Sequence, residues 1–208
     1  MIGIIDYGAG NLASVKHACE RVGEDAESFS DSSLTGGYER LILPGVGSFR
    51  MAMEQLNASG WFEAIRQHVE IGKPLLGICL GMQLLFDESD EHGPSGGLGI
   101  IPGKVKLMEP ATPHRIPHVG WNRIVKHFPN SKKKSDPFKK IESGEYFYFV
   151  HSYYVNPNYE SDIYTTSEYE GFKFCSSVLR DNVFACQFHP EKSSKKGLNI
   201  LKEYFQKN

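Results

Sequence analysis

Short apolar runs alternate with stretches of helical period through the first half of the chain. Residues 2–6, 26–29, 40–43 and 74–78 are runs of strand length, too short for helices. Between them, residues 11–22, 49–56 and 61–70 place apolar side chains at helical spacing. Continuously apolar strands separated by amphipathic helices predict a parallel sheet covered on both faces. After the fourth run, Met82-Gln83-Leu84-Leu85-Phe86 again has helical character. Strand, tight turn and helix therefore follow one another, with Gly77 and Gly81 flanking the turn.

The pattern changes beyond this point. Residues 98–128 are rich in Pro, Gly and His, and Asn130-Ser131-Lys132-Lys133-Lys134-Ser135-Asp136-Pro137 reads as a solvated loop. Strand-like segments return at 146–154, 163–169, 172–179 and 183–188, and a helix at 193–205 closes the chain. No internal repeat is present. The expected fold is α/β and three-layered, with a mostly parallel central sheet, helices on both faces and a β-rich second half. The 208 residues are expected to form a single domain.

Composition narrows the function classes. A net charge of −2 leaves no electrostatic footprint for nucleic acid or an acidic membrane. No apolar run approaches the roughly 18–20 residues of a membrane span. Met1-Ile2-Gly3-Ile4-Ile5-Asp6 lacks a basic segment and reads as a first strand, not a signal peptide. Cys19, Cys79, Cys175 and Cys186 are far apart, without the C-x-x-C spacing of a zinc ribbon or a disulfide framework. A cytoplasmic protein is expected. No metal cluster is indicated, and Gly45-Val46-Gly47 lacks the later glycine of a dinucleotide fingerprint, so no cofactor is expected.

Candidate chemistry lies in Gly77-Ile78-Cys79-Leu80-Gly81-Met82-Gln83 and, far downstream, Gln187-Phe188-His189-Pro190-Glu191. A strand–turn–helix elbow lifts a nucleophile off the sheet edge. A helix N-terminus and a nearby imidazole both favour thiolate. Cys79 would receive the first, and His189 the second. Glu191, two residues on, lies on the same side as His189 if the strand stays extended, and its carboxylate can fix the imidazole tautomer. Leu80 N–H is the natural first oxyanion donor. The turn Leu43-Pro44-Gly45-Val46-Gly47-Ser48 follows another expected strand and can bring backbone close to a substrate. A lone cysteine after a strand is usually core packing, and a Gly-x-Gly turn is weak evidence alone. Together, however, all these segments fall at the C-terminal ends of expected strands, where open α/β sheets bind ligands.

These two segments resemble the signature of class I, triad-type glutamine amidotransferases. Within that family the chain is similar to glutaminase subunits of imidazole glycerol phosphate synthases, through Asp6-Tyr7-Gly8-Ala9-Gly10-Asn11, Leu43-Pro44-Gly45-Val46-Gly47, Pro117-His118-Val119-Gly120-Trp121-Asn122 and Tyr148-Phe149-Val150-His151-Ser152-Tyr153. The resemblance implies hydrolysis of L-glutamine through a thioester on Cys79, with His189 as base and acid and Glu191 orienting it. It implies an oxyanion site at Leu80, Val46 and Gly47, and a glutamine pocket at Gly45, Gly47, Gln83, Ser152 and Tyr153. Ammonia would pass to a separate (β/α)₈ synthase subunit in a heterodimer serving histidine biosynthesis. Gly8, Asn11, Trp121, Asn122, Tyr148 and Lys192 would face that partner. Trp121 can equally be a core anchor, Tyr148 a strand residue packed in the sheet, and Asp6 a turn residue.

Two stretches depart from the family pattern: the basic residue within Pro113-His114-Arg115-Ile116-Pro117-His118, and a polar insertion at 131–140. They leave room for a paralogue that supplies ammonia for sugar modification of surface polysaccharide. A non-catalytic regulatory subunit has no chemical need for all three of Cys79, His189 and Glu191. A stand-alone cysteine hydrolase would need no partner. His151 receives no catalytic role, and Cys19, Cys175 and Cys186 are read as core.

Overall fold

A computed structural model describes residues 1–8, 10–111, 115–127 and 136–205. Its elements are β1 (Ile2–Ile5), α1 (Leu12–Arg21), β2 (Ala26–Phe29), β3 (Arg40–Leu43), α2 (Phe49–Ala58), α3 (Trp61–Glu70), β4 (Leu75–Ile78) and α4 (Leu80–Leu84). There follow β5 (Phe86–Ser89), β6 (Ser95–Gly96), β7 (Ile101–Leu107), β8 (His118–Arg123), β9 (Val125–Lys126), β10 (Tyr146–His151), β11 (Tyr153–Pro157), β12 (Ile163–Tyr169), β13 (Phe172–Arg180), β14 (Val183–Cys186) and α5 (Ser194–Phe205). The fold is mixed α/β, as the alternating pattern implies.

A large sheet runs in the order β2-β1-β3-β4-β14-β13-β11-β7-β5-β6. Its first five strands are parallel, and the strands of the second half extend it largely in antiparallel fashion. Both faces of the parallel block are buried. Ile2 and Ile4 pack with Val15 and Cys19 of α1 and Ile200 and Leu201 of α5. Ile5 and Leu43 pack with Phe49 and Leu56 of α2 and Trp61 and Ile65 of α3.

Three elements differ from the sequence expectation. The helix expected through Phe86 stops at Leu84, because the Leu84 and Leu85 carbonyls accept N–H bonds from Leu98, Ile100 and Ile101 instead of continuing a helical ladder. Phe86 then opens β5, parallel to β7. The single strand expected at 146–154 is two: β10 pairs with β8 in a separate two-stranded ribbon, β11 joins the large sheet, and Ser152 lies between them. The Pro- and Gly-rich stretch after residue 98 also holds strands. In β7 the buried positions Ile101, Gly103 and Val105 alternate with more exposed ones, a period of two masked by Pro102 and Gly103.

The expected solvated loop falls mainly outside the described residues, at 130–135, as does Ala9 of the first loop and Pro113-His114 of the basic stretch. The described end of the polar insertion is not wholly surface. Phe138 is fully buried against Phe184 and Phe188, and Asp136 accepts bonds from the Phe138 N–H and the Tyr164 hydroxyl.

Candidate active site

Cys79 sits between β4 and α4 with φ 54° and ψ −112°, a backbone that L-residues adopt only under strain. Its N–H donates to the Cys186 carbonyl at 2.8 Å, so the elbow is tied to the end of β14. Gly81 permits the turn: a Cβ there would overlap the Leu43 carbonyl at the end of β3. Cys79 is 7% exposed.

His189 follows β14, the parallel neighbour of β4, with Cys186 in register with Ile78. Adjacent strands thus bring together two residues more than a hundred positions apart. His189 is 1% exposed, and its Nδ1 lies 2.8 Å from Glu191 Oε1. The extended strand that was to place Glu191 is absent. β14 ends at Cys186, and Pro190–Lys192 form a 3-10 turn that folds the carboxylate back onto the ring. Glu191 Oε1 also accepts a 2.6 Å bond from Asn11 Nδ2. Burial opposes charge on His189, but Cys79 and Glu191 on its two sides outweigh it and raise its pKa to about 10. A carboxylate accepting from Nδ1–H leaves Nε2 for the sulfur side, and Nε2 makes no hydrogen bond among the described residues.

A cavity of about 260 Å³ opens on the thiol. Val46, Gly47, Leu80, Gln83, Ser152 and Tyr153 line it together with Cys79 and His189. Leu80 opens α4, where a helix's first N–H groups lack intrahelical acceptors. Gly47 has φ +101°, a conformation that favours glycine. Gly45 stands behind the lining. A Cβ there would meet the Tyr7 hydroxyl at 2.8 Å, and the Gly81 nitrogen and Leu80 Cβ at 2.9 Å. Its place in the turn is explained by close packing on the elbow.

Sequence reasoning assigned no role to three cavity neighbours. Gln187 Nε2 lies 3.7 Å from Cys79 Sγ, and its Oε1 accepts from Gln83 Nε2 at 3.0 Å. Its place two residues before His189 was the available signal. Glu91 lines the cavity while its Oε2 accepts the Phe49 N–H at 2.6 Å; it lies in a polar turn that carries no pattern. Val150 lines the cavity beside His151, and its carbonyl lies 3.8 Å from the thiol.

The residues expected to face a partner divide. Gly8 and Lys192 are exposed. Trp121 is 52% exposed, which excludes the core-anchor reading, and stacks edge-on with Tyr148 directly across the β8–β10 ribbon. Val119, Tyr146 and Val150 are exposed apolar residues on the same two strands. Asn11 is directed at Glu191, although it begins α1 and would ordinarily cap it. Asn122 is directed at His118 and the Glu168 carbonyl. Asp6 is a turn residue, accepting the Gly8 N–H at 3.1 Å. Cys19, Cys175 and Cys186 are buried thiols.

The sequence profile of the family described as Glutamine amidotransferase class-I matches residues 3–207. The chain is 49% identical over 209 residues to the imidazole glycerol phosphate synthase subunit HisH of Syntrophotalea carbinolica, covering 98% of each. It is 51% identical over 205 residues to the protein of that name from Caldanaerobacter subterraneus subsp. tengcongensis, covering 98% of this chain and 97% of that one. Among solved structures, one described as a glutamine amidotransferase superposes with a TM-score of 0.73 at 19% identity, over 98% of this chain and 96% of the other. PurLQS from Thermotoga maritima gives 0.72, also at 19% and over the same shares. These two share the fold.

Proposed function

From the premise that this chain belongs to the class-I glutamine amidotransferase family, we propose that it is the glutaminase subunit of an imidazole glycerol phosphate synthase, with Cys79, His189 and Glu191 as its catalytic residues. The observation that carries the catalytic assignment is the buried His189–Glu191 pair set beside a strained, cavity-facing cysteine.

The Cys79 thiolate attacks the carboxamide carbon of L-glutamine, forming a C–S bond and a tetrahedral oxyanion. Leu80 N–H and the N–H groups of Val46 and Gly47 stabilise that oxygen, where a single donor contributes on the order of 3 kcal/mol. His189 gives its Nε2 proton to the amide nitrogen, the C–N bond breaks, and ammonia leaves a thioester. His189, now neutral, takes a proton from water, whose oxygen attacks the thioester. Collapse releases glutamate and restores the thiolate–imidazolium pair. Glu191 holds Nδ1–H throughout, and Asn11 holds Glu191. Gln83, Ser152 and Tyr153 bind the substrate beside Gly47. The Glu91 carboxylate is suited to its α-ammonium group.

The ammonia acceptor is a (β/α)₈ synthase subunit, docked on the apolar ribbon of Trp121 and Tyr148 with Gly8 and Lys192 at its rim. Both relatives are named as subunits of an imidazole glycerol phosphate synthase. No helix among the described residues is long and apolar enough to cross a membrane. Four cysteines outside any disulfide suit a reducing cytoplasm.

An electrophilic glutamine analogue is expected to label Cys79 stoichiometrically, and Cys79→Ala to abolish glutamine hydrolysis. Hydrolysis surviving in that variant removes Cys79 from the mechanism. Adding the synthase subunit with its nucleotide ligand is expected to accelerate the wild-type chain. An unchanged rate refutes that partner.

A further inference from the structure

Two buried histidines lie beside the triad without a part in it. His118 and His151 face each other directly across the β8–β10 ribbon, with His118 Nδ1 and His151 Nε2 3.0 Å apart. Their protons can be placed by elimination. His151 Nδ1 lies 2.8 Å from the Tyr153 carbonyl, which only accepts, so Nδ1 carries the hydrogen. A neutral His151 then has an accepting Nε2, so His118 Nδ1 must donate to it. His118 Nε2 is left as an acceptor, and Asn122 Nδ2 approaches it at 3.3 Å. The Asn122 amide is oriented independently: Nδ2 donates to the Glu168 carbonyl at 2.8 Å, while Oδ1 accepts the Arg123 N–H at 2.7 Å. Every group in the chain Asn122–His118–His151–Tyr153 therefore has one permitted direction.

Neutrality, on which this direction depends, is built in. His118 is stacked between the rings of Phe149 and Tyr169, at 5.0 and 4.1 Å, and burial pushes it down to about 4. Burial, with the neighbouring His118 and His189, holds His151 at about 3. A phenyl ring would fill the His118 box but leave the buried His151 Nε2 without its donor, so the imidazole nitrogens are what distinguish the residue there. The receiving end lies in the cavity wall. The Tyr153 carbonyl also accepts from Gln83 Nε2 at 3.1 Å, and Gln83 continues through Gln187 to Cys79 Sγ.

We propose that His118 and His151 are positioning residues: a one-way hydrogen-bond relay, anchored at Asn122 on the partner-facing ribbon, holds the Tyr153 carbonyl and so sets the Ser152–Tyr153 wall that grips glutamine. This rests on the glutaminase reading given above. Because the relay acts on a binding wall and not on the developing oxyanion, its loss raises KM and leaves kcat in place.

The test has two arms on the full chain. Imidazole ¹⁵N spectra are expected to show both histidines neutral and protonated at Nδ1. An Nε2–H form of either ring, or a charged ring at neutral pH, overturns the relay whether or not glutamine is the substrate. In kinetics with saturating synthase subunit, His118→Phe keeps the stacking but breaks the relay. It is expected to raise the glutamine KM about tenfold, equal to about 1.4 kcal/mol, with kcat within twofold. His118→Gln, which can both donate and accept, is expected to recover most of that loss. Asn122→Val is expected to raise KM too, without adding to His118→Phe in the double variant. A wild-type KM in both single variants, or additive effects in the double, overturns the proposal. Asn122→Val also decides the matter if His118→Phe does not fold. If the wild-type chain itself fails to hydrolyse glutamine, the functional reading has failed, and the spectra still decide the relay.

Discussion

Gly45→Ala separates two explanations of the glycine turn after β3. As a substrate contact, Gly45 would matter for binding. As the place where that turn rests on the nucleophile elbow, it would matter for catalysis. An added Cβ would lie 2.9 Å from both the Gly81 nitrogen and Leu80 Cβ, against an ordinary contact beginning at 3.4 Å, so the turn and the elbow must part by about 0.5 Å. No positive φ is involved, so the effect is steric alone. Overpacking of this kind costs about 1–3 kcal/mol, or roughly 2–12 °C in Tm for a chain of this size. The two sides being parted carry the proposed oxyanion donors, Leu80 on the elbow and Val46–Gly47 on the turn. A 1 Å misplacement in a catalytic site costs about 100-fold, so half that should lower kcat about tenfold, with KM within twofold. Glutaminase kinetics at saturating partner and a thermal melt measure both quantities. Gly36→Ala, where an added Cβ meets nothing within 4 Å, serves as the control and should leave both unchanged. A raised KM with normal kcat would refute the packing argument and return Gly45 to the substrate pocket; wild-type kcat with unchanged Tm would show that the turn yields freely.

Glu191→Gln should fold normally and lose activity on the order of 100-fold or more, because acid–base catalysis of this kind contributes about 10²–10⁴. The same variant should bring His189 down from about 10 toward the ordinary imidazole range, read by ¹⁵N NMR; an unmoved titration contradicts the pairing. Trp121→Ala should weaken synthase binding about 30-fold, the size of a loss near 2 kcal/mol at an aromatic hot spot, measured by titration calorimetry; an unchanged Kd places the interface elsewhere. Stability should also follow pH from both sides. His68 and His118, held by burial near 4, and His151 near 3 contribute stability that is present above pH 6.5 and lost on acidification through those values. His189 contributes stability that is complete below pH 6.5 and lost as pH rises through about 10. Urea midpoints should thus rise from pH 4 to 6.5 and decline toward pH 10, and a flat acid limb would contradict the neutral buried imidazoles.

Much of this was legible in the chain because the parallel half obeys simple rules. β2 and β3 lie where their apolar runs lie, and the elbow follows β4 as the glycines around Cys79 require. The triad members were readable as residue types at strand ends. Their contact was expected for a different local reason: Glu191 reaches His189 through a 3-10 turn and not along a strand. β8 was hidden because it exposes Val119 and Trp121 and buries His118, inverting the usual pattern, whereas its partner β10, which buries Phe147 and Phe149, lies within a segment that reads as a strand. The inward histidines stand out only once the two strands are paired. Asn11 was readable as a loop residue, but its bond to Glu191 spans 180 positions and depends on the tertiary fold.

The backbone of Cys79 carries a further consequence, for how stability and activity are balanced. With φ 54° and ψ −112°, residue 79 occupies a conformation that costs a side-chain-bearing residue about 1–3 kcal/mol and glycine little. Elsewhere, alanine is the more stable replacement of the pair by about 0.5–1 kcal/mol. At position 79 that order should reverse, with Cys79→Gly melting above Cys79→Ala although neither can form a thioester. The residue that the reaction requires is one that the turn disfavours, so selection for stability alone would drive this position toward glycine, and only continued turnover holds a cysteine there.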